Sequence, residues 1–497
     1  MKTTNLKTLR PVGICAATLL FAACGQQEQP AAEAAAEKVP VTTASESARD
    51  LYMQGQALLD DLHFLDANEQ FTQAVEADAE FAMAYLMLSQ TAQSTAEFLD
   101  AIGKTAAYAE NVSAGEKLYI RAAVAASEND QDGQEEALVQ LVAMFPQDER
   151  THMQLGNFLT GQQDFAGAIE HYTHATAINP DFAGAHNSLG YSYRALEDFD
   201  NAKAAFAKYI ELIPDEANPY DSYAELLLEI GNYDESIENY RKALEIDPNF
   251  GSSYAGISIN ESLKGNADLA QAAADRMLAA ARNPGERRGA MIQSVMAHLF
   301  AGNTDAALEV CNTIFAEAEV KGYRAPMGGI SEYMGDIMLA MGESAKAEAY
   351  FDTALDHRLA AGFNEANQDQ AGRTHLFKTA IASMIAGDAD AAASRTAEYS
   401  AAAEMNGTAF ERLRIHELSA FLAMSNEEFD SAAQHFAQAS QINPIVLYWS
   451  AVTNETLGNT ELAIDLATRA ANKNTLSRNL PFFRSDAQKL LAKLTAE

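Results

Sequence analysis

Residues 148–180 read DERTHMQLGNFLTGQQDFAGAIEHYTHATAINP, and residues 181–214 read DFAGAHNSLGYSYRALEDFDNAKAAFAKYIELIP. The second block restates the first at a step of 34 residues, and the same step carries Pro146, Pro180, Pro214 and Pro248. With the proline at position 32, position 8 holds Gly156, Gly190, Ala224 and Ser258, and position 20 holds Ala168, Ala202, Ser236 and Ala270. Position 24 holds Tyr172, Phe206, Tyr240 and Ala274. Small residues recur where two helices must approach, and a large apolar residue mostly recurs four positions later to fill the space between them. A period of this length marks one copied supersecondary unit, and a stack of such units is the fold.

The register extends beyond these blocks and then loosens. An earlier unit places Gly55, Ala67, Phe71 and Ala74 in phase, with Ala79 at the proline position. The segment from Ser113 begins SAGE, the spacing of a capping box, in which serine and glutamate satisfy each other's free backbone amides. The step is strict from about residue 113 to 280. Beyond it, the expected inter-helix glycines Gly231, Gly265, Gly302, Gly342 and Gly387 drift further apart. The spacing predicts longer helices or inserts such as DHRLAAGFNEANQDQAGR (356–373) in the second half. Good copies return at Gly335, Ala347, Phe351 and Ala354, and at Ala432, Phe436, Ala439 and Pro444. Asn179-Pro180 and Asp247-Pro248 read as a capping side chain before a proline in the first helical turn. The end, LPFFRSDAQKLLAKL (480–494), reads as an amphipathic capping helix. The expected architecture is all-α: about eleven or twelve antiparallel helix pairs in a solenoid. One array spans 47–283 and a second, with longer repeats, spans 284–497.

The Leu-Gly pair at positions 7 and 8, followed by the Ala, aromatic and Pro positions in order, resembles the tetratricopeptide repeat. The aromatic that this family places at position 4 is His152 and His186, then Tyr220 and Tyr254. The resemblance implies a superhelix whose first helices line a concave groove, with positions 2, 5, 9 and 12 facing it. The groove residues it implies include Asn157, Asn187, Tyr191, Arg194, Asp221 and Glu225. Asn157, Asn187, Tyr191 and Arg194 can hydrogen-bond an extended peptide, and Arg194 can pair a carboxylate. The family's clamp for C-terminal carboxylates uses several Lys and Arg, and this wall departs from it through Asp221 and Glu225.

The chain's 34 Lys and Arg stand against 70 Asp and Glu, a net charge of −36. Such a field repels nucleic acid and anionic lipid headgroups, and it reads either as a solvated exterior or as attraction to a partner with basic segments. Residues 1–23 combine a basic start with the apolar run VGICAATLLFAA, too short to span a bilayer. Phe21-Ala22-Ala23-Cys24-Gly25 resembles a bacterial lipoprotein signal, which implies lipidation at Cys24 and a place on the periplasmic face of the outer membrane. Residues 24–46 lack large apolar side chains and read as a flexible tether.

Chemistry finds little footing. No phosphate loop, nucleophile elbow, His-Glu-x-x-His or paired Cys-x-x-Cys is present. His171 and His174 have ligand spacing on one helix, without a third ligand legible in sequence. Cys311 falls at an interface position and reads as a small buried hydrophobe. The expectation is a non-enzymatic interaction scaffold without cofactor or metal, anchored in the cell envelope. The alternatives are a carbohydrate- or nutrient-capture lipoprotein, disfavoured by the single Trp449, and a sensory array.

Overall fold

The computed structural model describes residues 38–60 and 63–496; the expected signal and Cys24 lie outside them. Among the described residues the chain forms twenty-five α-helices and one 3-10 turn, with no strand. The first seven pairs are α1 (Glu46–Asp60) and α2 (Phe64–Ala77), α3 (Ala82–Gln90) and α4 (Thr95–Ala107), α5 (Ala114–Ser127) and α6 (Gln131–Met144), α7 (Glu149–Gly161) and α8 (Phe165–Ile178), α9 (Ala183–Ala195) and α10 (Phe199–Leu212), α11 (Ala217–Glu229) and α12 (Tyr233–Ile246), and α13 (Gly251–Leu263) and α14 (Ala267–Ala280). Five further pairs follow: α15 (Pro284–Phe300) and α16 (Thr304–Lys321), α17 (Arg324–Ala340) and α18 (Ser344–Leu359), α19 (Glu365–Ala386) and α20 (Ala389–Asn406), α21 (Ala409–Ser425) and α22 (Phe429–Phe436), and α23 (Pro444–Thr456) and α24 (Thr460–Asn472). The last helix, α25 (Leu480–Ala496), packs on α24 and α23 and closes their apolar face.

The period has a direct steric cause. A Cβ on Gly156 would stand 2.5 Å from the Tyr172 ring, on Gly190 2.5 Å from Phe206, and on Gly335 2.3 Å from Phe351. Position 8 is therefore the notch into which the ring at position 24 fits, and a methyl group there would force the pair apart. Where position 8 is Ala224, the Tyr240 ring also lies against the next pair, and a Cβ on Gly256 would stand 2.1 Å from it.

Position 4 joins each pair to the turn before it. His152 and His186 bring Nε2 to within 3.2 and 3.0 Å of the Pro146 and Pro180 carbonyls. Tyr220 and Tyr254 donate their hydroxyls to the Pro214 and Pro248 carbonyls at 2.9 and 3.1 Å. Histidine replaces tyrosine here because both rings carry a donor at the right reach.

The prolines of the strict register do not begin helices, contrary to the capping expectation. Pro180 and Pro248 lie in turns three residues before α9 and α13. The Asn179 and Asp247 side chains accept from the amides two residues on, Asp181 and Asn249, at 3.2 and 2.9 Å. These are Asx turns, which reverse the chain between antiparallel helices before the next helix starts. The first-turn arrangement does occur at the start of α15 and α23. There Asn283 and Asn443 cap helices beginning with Pro284 and Pro444. The capping box at Ser113 and Glu116 is present as read, and Thr408 and Glu411 form another.

The turn inside a pair needs one residue in the left-handed region. Gly231, Gly265, Gly302, Gly342 and Gly387 take it with φ between 74° and 84°. Asn129, Gln163, Glu197 and Glu427 occupy the same conformation with side chains, at φ 60–62°. In the second half the drift in spacing comes from helix length: α19 has 22 residues and α20 has 18, against 13 and 14 in the strict pairs. The segment 356–373 is mostly the end of α18 and the start of α19 rather than an inserted loop.

The array coils until later pairs rest on earlier ones. Asn364 Nδ2 donates to the Ser127 carbonyl at 2.8 Å, Ala409 N to Gln131 Oε1 at 3.2 Å, and Ser440 Oγ to Gln163 Oε1 at 3.1 Å. Near the N-terminus, residues 38–45, assigned by composition to the tether, run along the ends of first helices. Val39 N donates to Asp148 Oδ2 at 2.9 Å, Thr42 N to Glu116 Oε1 at 2.6 Å, and Lys38 pairs with Glu149 at 2.7 Å.

Candidate functional site

The inner wall is built by the first helices of consecutive pairs: α9, α11, α13 and α15 pack side by side, and α17 shares an apolar cluster with α15. On α9 and α11 three of the six expected groove residues, Tyr191, Arg194 and Glu225, form one network. Arg194 Nη1 lies 2.8 Å from Glu225 Oε1, and its Nε lies 3.1 Å from Glu229 Oε2. Its guanidinium stacks 4.7 Å from the centre of the Tyr191 ring. Tyr191 donates its hydroxyl to Glu225 Oε2 at 3.0 Å, and the Ser222 hydroxyl stands 3.2 Å away. Burial opposes the charge on Arg194, but Glu225 and Glu229 outweigh it and hold its pKa above the ordinary value. Arg194 is thus already supplied with carboxylates from its own wall.

Asp221, one turn before Glu225, is buried and accepts from Ser253 Oγ of α13 at 2.6 Å. Burial pushes its carboxyl up to about 7, against the Ser253 hydrogen bond, and the Glu225 charge adds to the rise. The other two expected residues stand apart from this network. Asn157 accepts from the Tyr172 hydroxyl at 2.8 Å and lines a cavity of about 380 Å³ with Arg150, Met153, Tyr52 and Lys38. Asn187 holds a buried Oδ1 that no protein donor reaches.

The wall is covered by the chain's own C-terminal segment. Between α24 and α25, residues 473–479 leave the helical conformation and cross the sixth to ninth pairs. Lys473 Nζ lies 2.8 Å from Glu229 Oε1 and 3.5 Å from Glu197 Oε1. Asn474, 3% exposed, donates to the Glu229 carbonyl at 3.1 Å and accepts from the Tyr233 hydroxyl at 3.2 Å. The Arg478 carbonyl accepts from Tyr333 at 3.0 Å, while its guanidinium lies 3.7 Å from Glu332 and over the Tyr333 ring. Leu480 and Phe483 then bury against Leu228, Ile259 and Met296 of α11, α13 and α15. Each basic residue meets a carboxylate and each apolar one meets an apolar patch, so the segment sits on the wall as a ligand would.

Sequence reasoning missed Glu197, Glu229, Lys473, Asn474 and Arg478. One signal was available: Glu197 is a side chain where the period asks for glycine, and it is spent on Lys473. The histidines behave otherwise. His152 Nδ1 and His171 Nδ1 stand 3.1 Å apart, and the His174 ring centre lies 5.1 Å from that of His152. Burial draws His152 and His171 below the ordinary imidazole value. Among the described residues no three His, Cys, Asp or Glu side chains are grouped to hold a metal ion. Cys311 is fully buried in an apolar cluster, which pushes its thiol up to about 12.

Family models for the tetratricopeptide repeat and the TPR repeat match residues 181–249 and 156–196. A search of curated proteins finds none that matches. Among solved structures, a tetratricopeptide repeat protein from Parabacteroides merdae is similar at 17% identity, over 53% of this chain and 98% of that one, with a TM-score of 0.38. The Cut9–Hcn1 hetero-tetramer of the APC/C is similar at 16% identity, over 88% and 79%, with a TM-score of 0.41. YrrB, described as a TPR protein with an unusual peptide-binding site, is similar at 17% identity, over 36% and 90%, with a TM-score of 0.26. None reaches a TM-score of 0.5, so the family rests on the matched repeats and on the notch-and-ring packing that they share with the rest of the array. On that footing residues 156–249 are tetratricopeptide repeats, a repeat found in protein-interaction scaffolds.

Proposed function

We propose that this chain is a non-enzymatic scaffold of a bacterial cell envelope. It is tethered through lipid on Cys24 and holds partner proteins by extended segments laid along its inner wall. The observation that carries the binding half is the run of carboxylates on that wall, Glu197, Glu225, Glu229 and Glu332, of which Glu197, Glu229 and Glu332 already hold Lys473 and Arg478 from the C-terminal segment. Against these four carboxylates the array itself sets Arg194 and Arg358, so the wall keeps a net negative charge that favours basic segments. The anchoring half is supported by Phe21-Ala22-Ala23-Cys24 after a short apolar run with a basic start. Gly25 after the cysteine favours passage to the outer membrane.

In-cell crosslinking followed by mass spectrometry tests the first half: crosslinks from partner lysines to inner-wall residues of α9–α17 are expected. Partners found only on second helices would overturn the groove reading. For the anchor, Cys24→Ser is expected to abolish palmitate labelling and to release the protein from membranes. Retention of both would remove it.

A further inference from the structure

We propose that the acidic wall of the sixth to ninth pairs is a binding site for a basic–apolar protein segment. Residues 473–483 are its intramolecular occupant, which such a partner displaces. This rests on the scaffold reading and adds what the partner segment must look like. The occupant reads Lys473-Asn474-Thr475-Leu476-Ser477-Arg478-Asn479-Leu480-Pro481-Phe482-Phe483. Its two cations lie five residues apart and face Glu229 and Glu332, and its apolar end fills the patch at Leu228, Ile259 and Met296. A partner therefore needs a lysine or arginine, a second cation about five residues on in a non-helical stretch, and large apolar side chains just after it at the start of a helix.

Three observations make residues 473–479 exchangeable, with Leu480 and Phe483 at the start of α25 as the buried anchor that a partner's apolar side chains replace. Residues 473–479 lack helical hydrogen bonding, and their backbone bonds to the wall only through the Arg478 carbonyl, which accepts from Tyr333; the backbone's other bonds are local turns at Ser477 and Asn479. The fit leaves Asn479 Oδ1 and Arg484 Nε buried without a protein partner, a cost that a better-matched segment would not carry. Arg484 is 8% exposed and bonds only the Ala471 carbonyl and the Tyr233 hydroxyl, with no carboxylate, so burial lowers its pKa. Charge complementarity names the competitor: the wall is acidic, and the chain from Arg469 to Lys493 is among the few stretches where cations outnumber anions. Because the occupant is tethered, it competes at an effective concentration in the millimolar range, and only a segment of matched chemistry displaces it.

The test uses the full chain and a labelled synthetic peptide of residues 473–484, read by fluorescence anisotropy. Lys473→Glu combined with Arg478→Glu sets the segment against Glu229 and Glu332. That variant is expected to bind the peptide at least tenfold more tightly than the wild type does. Adding Glu229→Lys to it should abolish the gain. Equal affinity for the wild type and a release variant of unchanged helicity would overturn the proposal. Should the release variant fail to fold, hydrogen exchange on the wild type decides: saturating peptide is expected to speed exchange at the amides of 474–479, and unchanged exchange overturns it. If the peptide fails but in-cell crosslinks still map to the inner wall, the scaffold reading stands and this inference falls. Absence of inner-wall crosslinks removes the scaffold reading itself.

Discussion

Asp221 shows how much a single wall residue is asked to do. Its carboxyl sits near 7 in the folded chain against an ordinary value of 3.8, because burial disfavours the anion. Between about pH 4 and 7 the folded chain keeps this proton while the unfolded chain has lost it. Stability from this group is therefore present below the ordinary value and declines as pH rises through that window. The decline is on the order of 1.4 kcal/mol per pH unit for one group. Asp221→Asn keeps an acceptor for Ser253 and removes the titration. The variant should gain on the wild type as pH rises from 4 to 7, seen as diverging thermal midpoints. Parallel midpoints across that range would show that Asp221 is not protonated in the folded chain.

At the scale of an element, the informative place is the turn between paired helices. An L side chain in the left-handed region costs about 1 kcal/mol or more relative to glycine. Gln163 and Glu197 accept that cost and reach other pairs, through Ser440 and Lys473. Glu427 holds the same conformation, is exposed, and makes no such contact. Glu427→Gly should therefore raise stability by about 1 kcal/mol, while Glu197→Gly should bring no gain because relief of strain is offset by loss of the Lys473 pair. Comparison of their unfolding midpoints checks this. An equal gain in both would mean that the Lys473 contact contributes nothing.

For the whole molecule, Phe483 ties the end of the chain to its middle. It is 5% exposed and packs on Leu228, Ile259 and Met296, which belong to α11, α13 and α15. A repeat array is otherwise coupled mainly between neighbours, so damage stays local. Phe483→Ala should cost about 3–5 kcal/mol and lower hydrogen-exchange protection in α11–α15 as well as in α25. Loss confined to α23–α25 would mean that the C-terminal contact carries no coupling.

The sequence by itself determined the unit. Gly190 with Phe206, and Gly156 with Tyr172, meet within one hairpin sixteen residues apart, so a local pattern encodes them and the 34-residue step exposes them. The same repeat register put Arg194 and Glu225 on neighbouring first helices, where they pair. The Asx turns were misjudged because Asn-Pro and Asp-Pro serve equally well before a helix and in a reversal. What only the tertiary structure decided is the state of the groove. The bond from Asn474 to Glu229 joins residues 245 apart. Their meeting depends on the small rotation between pairs, summed over seven of them, and no single repeat records that sum. The unit is written in neighbouring residues, whereas the occupant of the wall is set by the curvature that all the units build together.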